Sequence, residues 1–245
     1  ASDVYKRQIS LIAIHQHEIP DHFPDDVLFE AEQARAVELG ERTDLRNLPL
    51  FTIDPSDARD HDDAICAKPD DDPNNIGGHI VWVAIADVAY YVQPGSSIDI
   101  EARKRGNSSY FPDRVVPMLP DALSGNLCSL HEGVDRACMS VCIKLSAEGT
   151  KLDHQFHRGI MRSPASLSYE QAQGAFDGNY DNVTKPLAKA LKDLLLAYKS
   201  ASKARDKRQP LNLDLPERKI VLSDDGEVLS VDFKNRFEAH KLVEE

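Results

Sequence analysis

Cysteine is scarce in this chain. Among 245 residues there are four, Cys66, Cys128, Cys138 and Cys142, and none form the paired C-x-x-C spacing of a zinc site. They are expected as buried thiols of a reducing compartment, which places the protein in the cytoplasm. Long apolar runs are also missing. Nothing approaches the roughly 20 residues of a membrane span, and no secretory signal with a basic start and apolar core opens the chain. Positive charge is the minority: 29 Lys and Arg stand against 41 Asp and Glu, a net charge of −12. That balance argues against a chain that grips nucleic acid by itself. No internal repeat or low-complexity segment interrupts the pattern, and the length suffices for one large domain or two small ones.

What the chain does have is aspartate in one place. Phe51-Thr-Ile-Asp-Pro-Ser-Asp-Ala-Arg-Asp-His-Asp-Asp-Ala-Ile65 carries Asp54, Asp57, Asp60, Asp62 and Asp63 between two apolar flanks. Two like charges about 4 Å apart cost roughly 1 kcal/mol in water and about 4 at an effective dielectric near 20. A run tied to core residues at both ends cannot splay freely, so a cation is expected to neutralise it. Hard oxygen donors favour Mg²⁺. An acidic surface turn is the plain alternative. A calcium EF-hand is excluded, because counting from Asp60 the sixth position is Ile65 rather than Gly and the twelfth is Asp71 rather than Glu. His61-Asp62 alone is a weak sign of a metal phosphohydrolase.

The stretch fits the pattern T-I-D-x-x-x-A-x-D-x-D-D-A, and with it the chain resembles the ribonuclease II/ribonuclease R (RNB) family of 3′→5′ exoribonucleases, the bacterial ribonuclease R branch most of all. The resemblance continues through Ile85-Ala-Asp-Val-Ala-Tyr-Tyr-Val-Gln-Pro-Gly95, Arg105-Gly-Asn-Ser-Ser-Tyr-Phe-Pro112, Val116-Pro-Met-Leu-Pro120 and Leu123-Ser-Gly-Asn-Leu-Cys-Ser-Leu130. It implies an α+β catalytic domain, a mixed sheet with flanking helices. It also implies Mg²⁺-dependent hydrolysis of single-stranded RNA to 5′-mononucleotides, with one or two ions that Mn²⁺ could replace. Carried over by position, Asp54, Asp60 and Asp63 hold the metal, and Asp62 is the residue tied most directly to turnover. Asp57 falls on a variable position and is expected in solvent, and His61 is expected to support the ligands rather than join them. Tyr110 matches a tyrosine that stacks near the 3′-terminal nucleotide. Tyr169 and Glu244 fall where the family contacts the same end of the RNA. The family's second stacking aromatic would fall near Asn212 or Leu213, neither of which is aromatic.

The resemblance also implies an organisation. Residues 1–8 look like a translated adapter scar (Asp3-Val-Tyr-Lys-Arg-Gln8). A β-type run within 9–17 resembles the last strand of an OB-type cold-shock domain, and 18–47 form a helical connector with a helix over Val27–Leu39 closed by Gly40. The catalytic domain is expected over 48–245, incomplete at its C-terminal side, where the family's downstream arginine and acidic residues are not reached. The basic RNA-gripping surface would then lie in further modules of cold-shock and S1 type, on a protein acting as a monomer. Asp70, Asp71 and Asp72 read as a solvated hairpin tip. The basic end of the helix over 185–208 (Lys199, Lys203, Arg205, Lys207, Arg208) reads as a solvated helix end or an RNA-backbone contact.

Two other readings remain open at this point. A nonhydrolytic RNA-binding module would not need four metal-bearing acids. An unrelated metal phosphohydrolase would turn over small phosphoesters without RNA and would leave Tyr110 without a purpose.

Overall fold

The computed structural model of the protein describes residues 9–211, 218–223, 228–233 and 236–244. Two compact units emerge, one from 1–34, 89–124 and 213–235, the other from 35–88, 125–212 and 236–245. The expected scar and the positions of Asn212 and Leu213 lie outside the described residues.

The first unit opens with a correction. Its isoleucine-rich start is not a strand but a helix, α1 (Ile9–Gln16), with Ser10 and Ile14 buried four residues apart on one face. β-branched residues favour extended backbone, but a strand needs a neighbouring ladder. A helix satisfies its own polar groups, as His17 N–H does on Ala13 O at 3.0 Å. The next helix, α2 (Asp25–Gln33), is also shorter than expected. Ala34 turns extended (ψ 144°), and Gly40 serves a later turn at φ +46° instead of closing the helix. Ala34-Arg-Ala-Val-Glu-Leu39 is helix-competent by propensity, but propensity is a weak prior. Here the extended backbone delivers the chain to β1 (Thr43–Asp44), the edge strand of the main sheet.

The second unit is built on that sheet. Strands β2 (Thr52–Asp54), β3 (Asp63–Pro69) and β4 (His79–Ala86) follow in order, the last a β-branched and aromatic run suited to a buried pleat. The chain then passes through α3 (Val88–Tyr91) and α4 (Ser97–Arg105), where Ser96 accepts from Asp99 N–H as the N-cap and Gly106 ends the helix at φ +78°. The pair β5 (Ser109–Tyr110) and β6 (Val115–Val116) completes the motif segment of the first unit. Arg105, which opens that motif, is its hub. It pairs with Glu101 at 2.9 Å, donates to His22 O and Pro117 O, and lies 3.6 Å over the Phe23 ring.

Back in the second unit, β7 (Asp135–Leu145) and β8 (Lys151–Arg162) form a long antiparallel hairpin. The sheet order is β1-β8-β7-β4-β3, antiparallel except for the β1–β8 pair. A separate parallel pair joins β2 to β9 (Ser166–Ser168). Then come α5 (Tyr169–Phe176), the long α6 (Ala188–Lys207), the hairpin of β10 (Arg218–Leu222) and β11 (Val228–Phe233) in the first unit, and α7 (Glu238–Glu244). The core of the second unit gathers Phe51, Ile53, Leu167, Leu191, Leu194, Ala239 and Leu242. Each large side chain buried there contributes about 1.5–3 kcal/mol. The fold is α+β, a mixed sheet with flanking helices.

Two further details differ from the sequence reading. Asp70 and Asp72 are not a solvated tip, because Lys144 on β7 reaches both, at 3.2 and 2.6 Å. Cys66, Cys128 and Cys138 are buried as expected, whereas Cys142 is half-buried; all four are free, and burial pushes the first three up to about 12.

Candidate metal and RNA site

Asp54 closes β2 and Asp63 opens β3, so the intervening loop is pulled tight at both ends. Phe51 and Ile65 bridge just outside it, exchanging backbone hydrogen bonds of 3.3 and 2.9 Å. Both flanking strands anchor in the core, which holds the carboxylates at one end of the sheet. Asp57 is exposed, as expected, and Asp62 opens to solvent. Ala86 N–H donates to Asp62 O at 2.9 Å and fixes its backbone to β4.

The electrostatics follow from crowding. Burial, then the Asp54 and Asp62 charges, raise Asp63 to about 6. Asp62 is raised by burial, Asp60 and Asp54. His61 is raised mainly through its contact with Asp54, Nδ1 to Oδ2 at 2.7 Å, against the lowering effect of burial. The imidazole is thus held against the Asp54 carboxylate. Among the described residues, no three His, Cys, Asp or Glu side chains are gathered into a ligand cluster. The four carboxylates share a field rather than a common point. In donor chemistry, as hard carboxylate oxygens, they fit a hard divalent cation.

A neighbouring segment that the sequence reading quoted without assigning it a role forms the bed of the loop. Ser129 Oγ donates to Arg59 O and accepts from His61 N–H, each at 3.0 Å, and Leu130 N–H donates to His61 O at 2.8 Å. The His131 ring meets His61 edge-on at 5.8 Å. Arg136 in turn donates to Ser129 O and Asn126 Oδ1, both at 2.9 Å. The signal was present, since Asn126 and Ser129 are among the polar residues within Leu123-Ser-Gly-Asn-Leu-Cys-Ser-Leu130.

Tyr169 and Glu244 are brought to the same place. Ser168, opposite Asp54 in the β2–β9 pair, caps α5 through a capping box with Gln171, leaving Tyr169 as the first helical residue. Burial raises the Tyr169 phenol, and Asp54, Asp63 and Glu244 raise it further. Its ring stacks on His240 of α7 at 3.8 Å and 11°. Sequence reasoning missed His240, which carries no motif signal. Glu244 pairs with Arg236. Tyr110 belongs to the other unit, on β5, and is 67% exposed. The basic end of α6 lies elsewhere. Ser200 meets His79 and the Gly149 turn, at the end of the sheet opposite Asp63.

Residues 42–245 match the RNB domain. The chain belongs to the RNB family. It is 41% identical over 246 residues to a ribonuclease R of Vibrio parahaemolyticus, covering 96% of this chain and 28% of that protein. It is 40% identical over 245 residues to a ribonuclease R of Escherichia coli, covering 96% of this chain and 29% of that protein. A solved structure of Mycoplasma genitalium RNase R in complex with ribose-methylated single-stranded RNA superposes with a TM-score of 0.87 at 28% identity, over 94% of this chain and 36% of that one. This RNB chain thus spans under a third of the length of these two curated relatives, and its aspartate loop lies wholly inside the matched region.

Proposed function

We propose that this RNB chain carries the metal-binding part of a 3′→5′ exoribonuclease, which hydrolyses single-stranded RNA to 5′-mononucleotides in RNA turnover. The observation that carries the proposal is the complete aspartate set, Asp54, Asp60, Asp62 and Asp63, held at one end of the sheet, where burial and neighbouring carboxylates raise Asp62 and Asp63. Asp54, Asp60 and Asp63 hold Mg²⁺, one ion or two, with Mn²⁺ as a substitute. Asp62, the most open of the four, is the one tied to turnover. A divalent cation bound there supplies Lewis acidity to the attacked phosphate and the nucleophile.

The chain's own residues do the rest. His61 holds the Asp54 carboxylate, and Tyr169 walls the site with an aromatic face and a hydroxyl beside the acids. Tyr169 and Glu244 contact the RNA's 3′-terminal region, and Tyr110 stacks on a base, which suits a substrate read without sequence preference. The net charge of −12 supports a division of labour in which further modules, of cold-shock and S1 type, grip the RNA backbone. The protein works as a monomer in the cytoplasm.

The test is a time course on 5′-labelled single-stranded RNA with Mg²⁺, beside an EDTA control and Asp62→Asn. Stepwise shortening from the 3′ end that needs both metal and Asp62 is expected of the protein carrying all its modules. Shortening that survives EDTA or Asp62→Asn would sink the assignment.

A further inference from the structure

We infer that Ser129 is a positioning residue for the aspartate loop: its hydroxyl holds Arg59 and His61, the two neighbours of Asp60, so that Asp60 and Asp62 are presented to a divalent cation. The inference rests on the metal reading of the four aspartates given above.

The geometry is specific. Ser129 is wholly buried, and its Oγ is used in both senses, donating to Arg59 O and accepting from His61 N–H at 3.0 Å each. A hydroxyl is the smallest side chain that can do both. The two backbone groups it ties flank Asp60, and His61 directly precedes Asp62. Along this loop the other backbone anchors are Ala58 N–H on Pro55 O before Arg59, and Leu130 and Ala86 donating to His61 O and Asp62 O after it. Ser129 is therefore the tie on the Arg59 side of Asp60. Its own backbone is held from behind, by Arg136 Nε on its carbonyl and by its N–H on Asn126 O at 3.0 Å. Mutually repelling carboxylates on a loop without that tie would spread apart, and a cation would have to gather them at the expense of affinity.

The experiment titrates the chain with Mn²⁺, reading free Mn²⁺ by electron paramagnetic resonance, and records a thermal melt of each variant. S129A removes both hydrogen bonds. S129C keeps the size but has a thiol that donates and accepts poorly. S200A deletes another buried serine, whose hydroxyl meets His79 at 3.1 Å at the far end of the sheet. Both S129A and S129C are expected to bind Mn²⁺ more weakly, S129A by about tenfold or more, as for other supports behind metal ligands. S200A is expected to bind as the wild type whatever its melting temperature. Wild-type affinity in either folded Ser129 variant, or an equal loss in S200A, overturns the inference. Absence of Mn²⁺ binding in the wild type overturns the metal reading itself, and this inference with it.

Discussion

Asp54 and Ser168 stand opposite one another in the parallel β2–β9 pair. One is the first acid of the aspartate loop. The other is the N-cap of the helix that begins with Tyr169. A single ladder position thus ties the carboxylate cluster to the aromatic wall of the site, although 114 residues separate them along the chain (168 − 54).

The Tyr169–His240 stack should be energetically coupled. An aromatic pair of this kind contributes about 0.5–1.5 kcal/mol beyond burial. His240 Nδ1 also accepts from Phe237 N–H at 3.1 Å, so its ring is fixed to the start of α7. In a double-mutant cycle of Tyr169→Ala and His240→Ala, urea unfolding should show non-additive losses of that order. Strict additivity would mean that the stack does not hold α7 to the site.

Asp87 should be a pH-sensitive stability element. Burial alone would raise its carboxyl, but hydrogen bonds from Arg158 (2.8 Å) and Arg42 (2.8 Å) outweigh that and hold it below the usual range. A carboxyl depressed in the folded state contributes stability that is present above its unfolded value near 3.9 and lost as pH falls through the folded value. Asp87→Asn removes the countercharge of Arg42, which keeps its contact with Gly159 O at 3.4 Å, and about 3–5 kcal/mol should be lost near neutral pH. The difference between wild type and variant, followed by denaturant unfolding, should shrink as the pH drops below about 4.

Gly149 is constrained twice. It sits at φ +81° in the β7–β8 turn, and a Cβ there would lie 1.9 Å from Ser200 O on α6. Gly95 has a similar φ of +82° with open space around it. Gly95→Ala should cost only the left-handed conformation, about 1–2 kcal/mol. Gly149→Ala should cost clearly more, because backbone must move. Equal shifts in melting temperature for the two variants would contradict this packing.

Divalent cations should stabilise the fold. The crowded carboxylates make the loop a place where cation binding offsets repulsion, and a ligand at 100 times its Kd adds about 2.7 kcal/mol. Melts with rising Mg²⁺ should shift upward in the wild type and less so in Asp60→Asn. Calcium or magnesium giving identical shifts in both would point to binding elsewhere.

Much of the site was legible because it is local. Asp54, Asp60, Asp62 and Asp63 lie within ten residues between apolar flanks, so density and flanks together announced a crowded acidic loop held by the core. His61 was read as a support, and its contact with Asp54 is that of a support.

Only the tertiary structure decided the rest. The isoleucine-rich run at 9–15 has β composition, yet α1 forms, because a strand needs a partner that local sequence cannot supply. The stretch after Gln33 has helical composition, yet it extends to feed the sheet edge. Lys144 gathers Asp70 and Asp72 from about 70 residues away, Ser129 ties the aspartate loop across a similar gap, and His240 reaches Tyr169 from a separate helix. Such contacts leave no periodicity or spacing behind. They depend on where the packed core delivers each backbone, and that is a property of the whole fold.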